Sequence, residues 1–114
     1  MQPKPMMKLS FRRVRAGKEA RLRDWLAELS VRADEVRATF VGETVRSEQA
    51  FLVHTVDGLA LVYAVEASDL ECARDAFERS PHAIDAVHKR VMSECLGDRL
   101  DIPPVYSVAL EEQA

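Results

Sequence analysis

Two histidines and an aspartate recur at three-residue intervals in the second half of the chain. His82, Asp85 and His88 lie in a stretch with helical periodicity. Residues three apart are neighbours on a helix, so the Asp85 carboxylate can touch either imidazole. A carboxylate beside an imidazole favours its cation or fixes the tautomer of a neutral base, and both roles serve acid–base chemistry. We predict His82, Asp85 and His88 as catalytic residues, with Asp85 bonded to a histidine or to a backbone N–H at the helix start.

This histidine pattern also has structural interpretations. His88 borders an apolar stripe, as a partly buried structural histidine does, and His82 stands in a first helical turn, where residues often cap the helix. A surface pair between Asp85 and Lys89 would compete with the histidine contacts. We predict no metal site, because the two histidines are six residues apart rather than the four that bring ligands to one helix face.

A second set of polar residues comes from three segments with strand-like patterns. If Leu9 and Phe11 face the helices, alternation turns Lys8 and Arg12 to the opposite face of the sheet. The same parity places further polar side chains with them: Glu48, His54 and Tyr63. We predict these five as ligand-binding residues, with Lys8 or Arg12 holding an anion in a cavity on the face away from the helices. The alternative is a polar dimer interface whose groups hydrogen-bond to one another.

The elements that must position these residues follow from hydrophobic periodicity. The predicted segments are a strand over 7–12, a helix over 18–38, strands over 43–56 and 59–65, helices over 68–79 and 81–96, and a strand over 105–110. Ser80-Pro81 splits the second helical region, because Pro suits a first helical turn and not an interior. Gly97 is predicted as a helix C-cap, and 101–104 as an extended linker.

Asp57-Gly58 predicts a tight hairpin between the second and third strands. A two-residue turn there sets the expected cross-strand pairs, which are Val56 with Leu59, His54 with Leu61 and Leu52 with Tyr63.

The predicted fold class is α+β with a ferredoxin-like β-α-β-β-α-β order, an antiparallel sheet and the helices on one face. Both faces of the second and third strands are apolar, so the face without helices needs a second layer. A homodimer supplies that layer economically.

Length and composition limit the class of protein. The chain has 114 residues, 47% hydrophobic and 31% charged, which predicts one domain over 1–114, with 1–5 flexible. No apolar run is long enough to cross a membrane, and two cysteines favour a reducing cytoplasm. Residues 1–23 carry a charge of +7, but no aromatic platform lies beside the basic residues, so we do not expect nucleic-acid binding.

Several short motifs resemble those of a small bacterial family known as domain of unknown function 6176. They are Gly17-Lys18, Gly42-Glu43, Glu48-Gln49-Ala50-Phe51, Asp57-Gly58, the run from His82 to His88 with Cys95 after it, and Pro103-Pro104-Val105. The family is similar to the dimeric α/β-barrel group, which includes small monooxygenases, isomerases, haem enzymes and stress-related proteins. The resemblance implies a fold and a dimer but no reaction, because this fold hosts many functions.

The residues suggest two classes of function. In the first, the protein binds or transforms a small organic molecule, with His82 or His88 as general acid or base. The sequence does not identify a cofactor. No cofactor motif occurs, so an oxidation would be cofactor-free or use a bound haem. In the second, the protein is a noncatalytic dimeric structural, stress-related or interaction protein, and the polar groups stabilise its interface.

Overall fold

The computed structural model describes residues 6–108 and 110, so the expectation for residues 1–5 lies outside the described part. The elements are β1 Met6–Val14, α1 Glu19–Val31, α2 Ala33–Glu43, β2 Val45–Thr55, β3 Gly58–Ala67, α3 Leu70–Glu78, α4 Ala83–Cys95 and β4 Leu96–Ile102. The four strands form an antiparallel sheet in the order β2-β3-β1-β4. The α+β prediction and the helix split at Ser80-Pro81 are confirmed.

The predicted helix over 18–38 is two helices that meet at Arg32. The backbone of Arg32 leaves helical geometry, with φ −95° and ψ 32°, and α2 then runs on to Glu43. The Arg32 guanidinium bonds Glu28 in α1 and Glu35 in α2, each at 2.8 Å. The bend allows Val36 to pack against the core beside the apolar residues of α1. Arg32 is a good helix former, so the break comes from packing rather than from local propensity.

The hairpin prediction placed the turn one residue too late. Thr55 pairs with Gly58, so the two loop residues are Val56 and Asp57. Gly58 has φ +124°, a value that only glycine adopts freely, and this permits the close pairing. The observed pairs are Thr55 with Gly58, His54 with Leu59, Leu52 with Leu61 and Ala50 with Tyr63. Because the register differs by two residues, the cross-strand neighbours change, but the side chains that were predicted to share a face still share one.

The helices cover the opposite face of the sheet from the one predicted. The buried core contains Val14, Leu22, Trp25, Leu61, Ile84, Val91, Met92, Cys95 and Leu96. Leu61 is 1% exposed, whereas Phe51 is 49% exposed on the other face. Both faces carry apolar residues, so alternation alone could not choose between them. The polar side chains of β1 lie on the covered face because the helices leave a cavity there.

The last strand also differs from the prediction. β4 follows α4 without a loop, and Gly97 lies inside this strand instead of capping the helix. Leu96 pairs with Val14 and is buried, whereas Leu100 and Ile102 are exposed on the other face, because the register shifts within this strand. The prediction treated this stretch as the end of a helix and a linker. The predicted strand over 105–110 is irregular at 105–108 and at 110, where the side chains are exposed, and Ala109 lies outside the described residues.

Candidate functional site

A cavity of about 400 Å³ lies between the covered face of the sheet and helices α3 and α4. Ser10, Leu61 and Tyr63 line it from the sheet, and Phe77 and His88 line it from the helices. The cavity has the size of a site for a small organic molecule and mixes apolar walls with a few polar groups.

A chain of hydrogen bonds crosses the inner end of this cavity. The Trp25 indole N–H donates to Nδ1 of His88 at 2.8 Å. Nε2 of His88 lies 3.4 Å from the Tyr63 hydroxyl, a long hydrogen bond. The Tyr63 hydroxyl in turn donates to Oε1 of Glu48 at 2.6 Å. Helices α1 and α4 and strands β2 and β3 each contribute one member, so the fold itself assembles the chain.

Burial shifts the titration of these groups towards their neutral forms. It lowers the pKa of His88 to about 4, against a weaker opposing effect of the Asp85 charge. Burial also raises the pKa of Glu48, an effect that the Tyr63 hydrogen bond opposes and the Asp85 charge increases. The pKa of Tyr63 is raised well above its usual value, by burial first and then by Glu48. At neutral pH, His88 and Tyr63 are therefore uncharged.

Two carboxyl groups face each other behind this chain. Glu43 at the end of α2 and Asp85 in the first turn of α4 are 6% and 7% exposed. Oε2 of Glu43 and Oδ2 of Asp85 are buried without a donor among the described residues. Burial, the hydrogen bond to Asp85 and the Asp85 charge raise the pKa of Glu43 to about 8. Glu43 therefore holds a proton at neutral pH and supplies it to the pair.

Basic side chains surround the cavity. Lys8, Arg12, Arg15, Arg74 and Arg99 all line it. Burial first, and then the charge of Arg99, lower the pKa values of both Lys8 and Arg12. Asp98 and Asp101 lie near these residues and offset part of the charge. With Lys89, six basic side chains line the cavity against four acidic ones, which are Glu43, Glu48, Glu78 and Asp98. The lining therefore carries an excess of positive charge in a chain whose net charge is −3. A region of this kind attracts anions.

The cavity gathers four of the five predicted ligand-binding residues. Lys8, Arg12, Glu48 and Tyr63 line it, whereas His54 is exposed near the hairpin and does not. The grouping by strand parity was therefore largely sound, although the face was wrong.

The predicted catalytic set is only partly assembled. His88 lines the cavity, but His82 is the exposed N-cap of α4 and its side chain caps nothing. The prediction of an Asp85 bond to a histidine or to a helix N–H was wrong, because the described hydrogen bonds include none of these. Helix spacing allows such contacts, but tertiary packing turns Asp85 towards Glu43.

Four residues of this site were not predicted from the sequence: Trp25, Glu43, Arg74 and Arg99. Trp25 lies in the core at 3% exposure, yet its N–H finds a polar partner there. Buried tryptophans usually bond their N–H, which is the one signal that pointed to a polar neighbour. Nothing in the local sequence separates Arg74 or Arg99 from other surface arginines, since only the fold brings both to β1.

Two absences hold for the described part of the chain, 6–108 and 110. No three His, Cys, Asp or Glu side chains there are arranged to hold a metal ion. No helix there is both long and apolar enough to cross a membrane.

Three solved structures share this fold at low sequence identity. A dimeric protein of unknown function and ferredoxin-like fold from Bacteroides fragilis has a TM-score of 0.53 and 10% identity, over 86% of this chain and 92% of that one. Rv0793 from Mycobacterium tuberculosis has a TM-score of 0.56 and 19% identity, over 93% and 100%. NE2512, a protein of unknown function from Nitrosomonas europaea, has a TM-score of 0.54 and 15% identity, over 95% and 97%. These likenesses show a ferredoxin-like fold.

The sequence comparisons place the chain in a family. No curated protein matches it significantly. The model of a family of unknown function, DUF6176, matches residues 6–112, which is nearly the whole chain. The protein therefore belongs to the DUF6176 family.

Proposed function

We propose that the protein binds a small organic anion in the cavity beneath α3 and α4 and catalyses proton transfer on it. The observation that carries this proposal is the combination of a basic cavity lining with a Tyr63–Glu48 pair at its inner end. The cations bind the acidic group of the ligand, and the body of the ligand extends towards Tyr63. His54 and His82 have no part in this proposal, because both are exposed away from the cavity.

Electrostatics support an anion over a neutral ligand. The burial of Lys8 and Arg12 beside Arg99 is unfavourable for their charges, as their lowered pKa values indicate. A bound carboxylate or phosphate relieves this repulsion and accepts charge-assisted hydrogen bonds. The single bond from Arg12 Nε to the Gly97 carbonyl, at 2.8 Å, holds one face of the guanidinium in place.

The proposed chemistry is a proton shift without a second reactant. The Glu48 carboxylate takes a proton from an acidic C–H or O–H of the ligand, and the bonding pair stays on the ligand. Glu48 then returns the proton to another ligand atom, which completes an isomerisation. Its raised pKa suits this task, because a base is most effective when its pKa lies near the working pH.

Thermal melting with small anions tests this proposal. The probes are 4-hydroxybenzoate, 2-oxoglutarate and inorganic phosphate, with methyl 4-hydroxybenzoate as the uncharged control. We expect at least one anion to raise the melting temperature by several degrees and the ester to have little effect. Tyr63→Phe keeps the ring but removes the hydroxyl, and should lower this shift for ligands that reach the inner end. Equal shifts for the acid and its ester would contradict the proposal.

The open face of the sheet supports a homodimer, which we propose to be a dimeric α/β barrel. Phe51, Val53, Leu100 and Ile102 lie on this face and are 37% to 62% exposed. A patch of this kind on a sheet is unusual in a monomer. Two copies related by a twofold axis would cover it with the same surface. The Bacteroides fragilis neighbour is itself described as dimeric.

Phe51→Glu is expected to convert this dimer into monomers at micromolar concentration. The change places a carboxylate on the apolar open face, where a second sheet would bury it. Val41→Glu is the matched control, since Val41 is 86% exposed on α2 and outside this face. Sedimentation should show dimers for the wild type and Val41→Glu alone. A monomeric wild type would defeat the dimer proposal.

A noncatalytic dimeric structural or interaction protein is the second candidate. The observation in its favour is the exposed apolar run after β4, where Val105 is 100% and Tyr106 82% exposed. In that case the probes above would leave the melting temperature unchanged, while Phe51→Glu would still dissociate the dimer.

We further propose that residues 1–114 form one domain that works in a reducing cytoplasm, in keeping with the free thiols of Cys72 and Cys95.

A further inference from the structure

His88 is enclosed by side chains from four elements. Trp25 of α1, Tyr63 of β3 and Phe77 of α3 each place a ring within 6.1 Å of the imidazole centroid. Asp85, one turn earlier in α4, contributes a nearby charge without a hydrogen bond to His88. Only Trp25 and Tyr63 among these residues hydrogen-bond to the imidazole.

The Trp25 bond fixes the position of the His88 proton. An indole N–H can only donate, so Nδ1 of His88 must present its lone pair. A neutral imidazole has one N–H, which is therefore on Nε2. Nε2 faces the Tyr63 oxygen, so Tyr63 accepts there and directs its own proton to Glu48. Because the Trp25 N–H can only donate, it determines which atom donates in every hydrogen bond from His88 to Glu48.

We propose that Trp25 and His88 are positioning residues, which fix the direction of this hydrogen-bond chain so that Glu48, and not His88, is the base of the cavity. His88 has no free lone pair to offer a ligand, because Trp25 occupies Nδ1 and the proton occupies Nε2. Burial lowers the pKa of His88 and so keeps the imidazole neutral, as this arrangement of one N–H and one lone pair requires. The role of Glu48 towards a ligand rests on the proposed function, but the direction of the hydrogen bonds from Trp25 to Glu48 does not.

Nitrogen-15 NMR of the ligand-free protein tests this proposal. With labelled histidine, we expect the Nδ1 resonance of His88 to be of the unprotonated type and the Nε2 resonance to be of the N–H type, from pH 5.5 to 8. His54→Gln and His82→Gln assign the signals, since both of these histidines are exposed. A protonated Nδ1 on neutral His88 in the wild type would overturn the proposal without any core variant.

Trp25→Phe removes the donor and keeps an aromatic ring. We expect His88 in this variant to populate both tautomers and its pKa to rise by at least one unit. Phe77→Leu is the matched control, because Phe77 packs edge-on against His88 without a hydrogen bond. The control should leave the tautomer unchanged.

The outcomes separate this inference from the proposed function. An unchanged tautomer in Trp25→Phe, or an equal change in Phe77→Leu, would overturn the positioning role even if anions bind. The expected tautomer with no binding of any probe anion would leave the positioning of Tyr63 and Glu48 standing while the proposed function fails.

Discussion

Glu43→Gln is expected to stabilise the protein by several kcal/mol more at pH 8.5 than at pH 4.5. Burial first, and then Asp85, raise the pKa of Glu43 from 4.5 to about 8. Between these values the folded protein holds a proton that the unfolded chain has released, so the stability contributed by this group falls as the pH rises. The Gln amide offers Asp85 a donor that no increase in pH removes.

Chemical denaturation at several pH values measures this difference. Burial of His88, with its pKa of about 4 against 6.5, contributes the opposite slope below pH 6.5. For this reason the variant is compared with the wild type at each pH. Glu71→Gln is the control, because Glu71 is exposed on α3. A constant difference between Glu43→Gln and the wild type across the range would show that the two carboxyls share no proton.

The double variant Arg74→Ala/Arg99→Ala is expected to weaken anion binding by about 100-fold. Arg74 is exposed on α3 and Arg99 on β4, and both line the cavity beside Lys8. Each guanidinium that contacts a bound carboxylate or phosphate contributes about 1.4 kcal/mol, or a factor of ten, when it is partly in water. Both residues are on the surface, so their removal should leave the unfolding free energy within about 0.5 kcal/mol.

Calorimetric titration with the anion that gives the largest melting shift measures this loss. Arg37→Ala is the matched control, since Arg37 pairs with Asp34 on the exposed side of α2, outside the cavity lining. The affinity of the wild type should also fall as salt is added, because salt screens the exposed cations. Full affinity in the double variant would show that the anion binds elsewhere.

The α+β class could be predicted from the sequence because periodicity reports which side chains share a face. Alternation placed Lys8, Arg12, Glu48 and Tyr63 together, and the structure brings all four to one cavity. An error of two residues in the hairpin register did not disturb this grouping, because side chains repeat every two residues along a strand.

The sequence did not indicate which side of the sheet the helices cover. Leu61 and Val62 are both apolar and point to opposite faces. The prediction turned the cations away from the helices because it placed the apolar side chains of Leu9 and Phe11 beneath them. Helices α3 and α4 instead leave a cavity over β1, which accommodates them.

The hydrogen-bonded site depends on contacts far apart in the sequence. Trp25 and His88 are separated by 63 positions, and Glu43 meets Asp85 across two helices. The local spacing of Asp85 and the histidines suggested a different pairing, which helix geometry permits. Tertiary packing pairs Asp85 with Glu43 rather than with a histidine, and no local sequence pattern contains that information.

An NMR titration with 4-hydroxybenzoate shows where an anion binds, and so decides whether the cavity is an anion site. We expect saturable shifts at Lys8, Arg12, Tyr63 and His88, with none at Phe51 on the open sheet face. The methyl ester at the same concentrations should leave the Lys8 and Arg12 signals unchanged. Shifts confined to the open face, or no saturable shift with this acid, 2-oxoglutarate or phosphate, would contradict the claim that the cavity is an anion site.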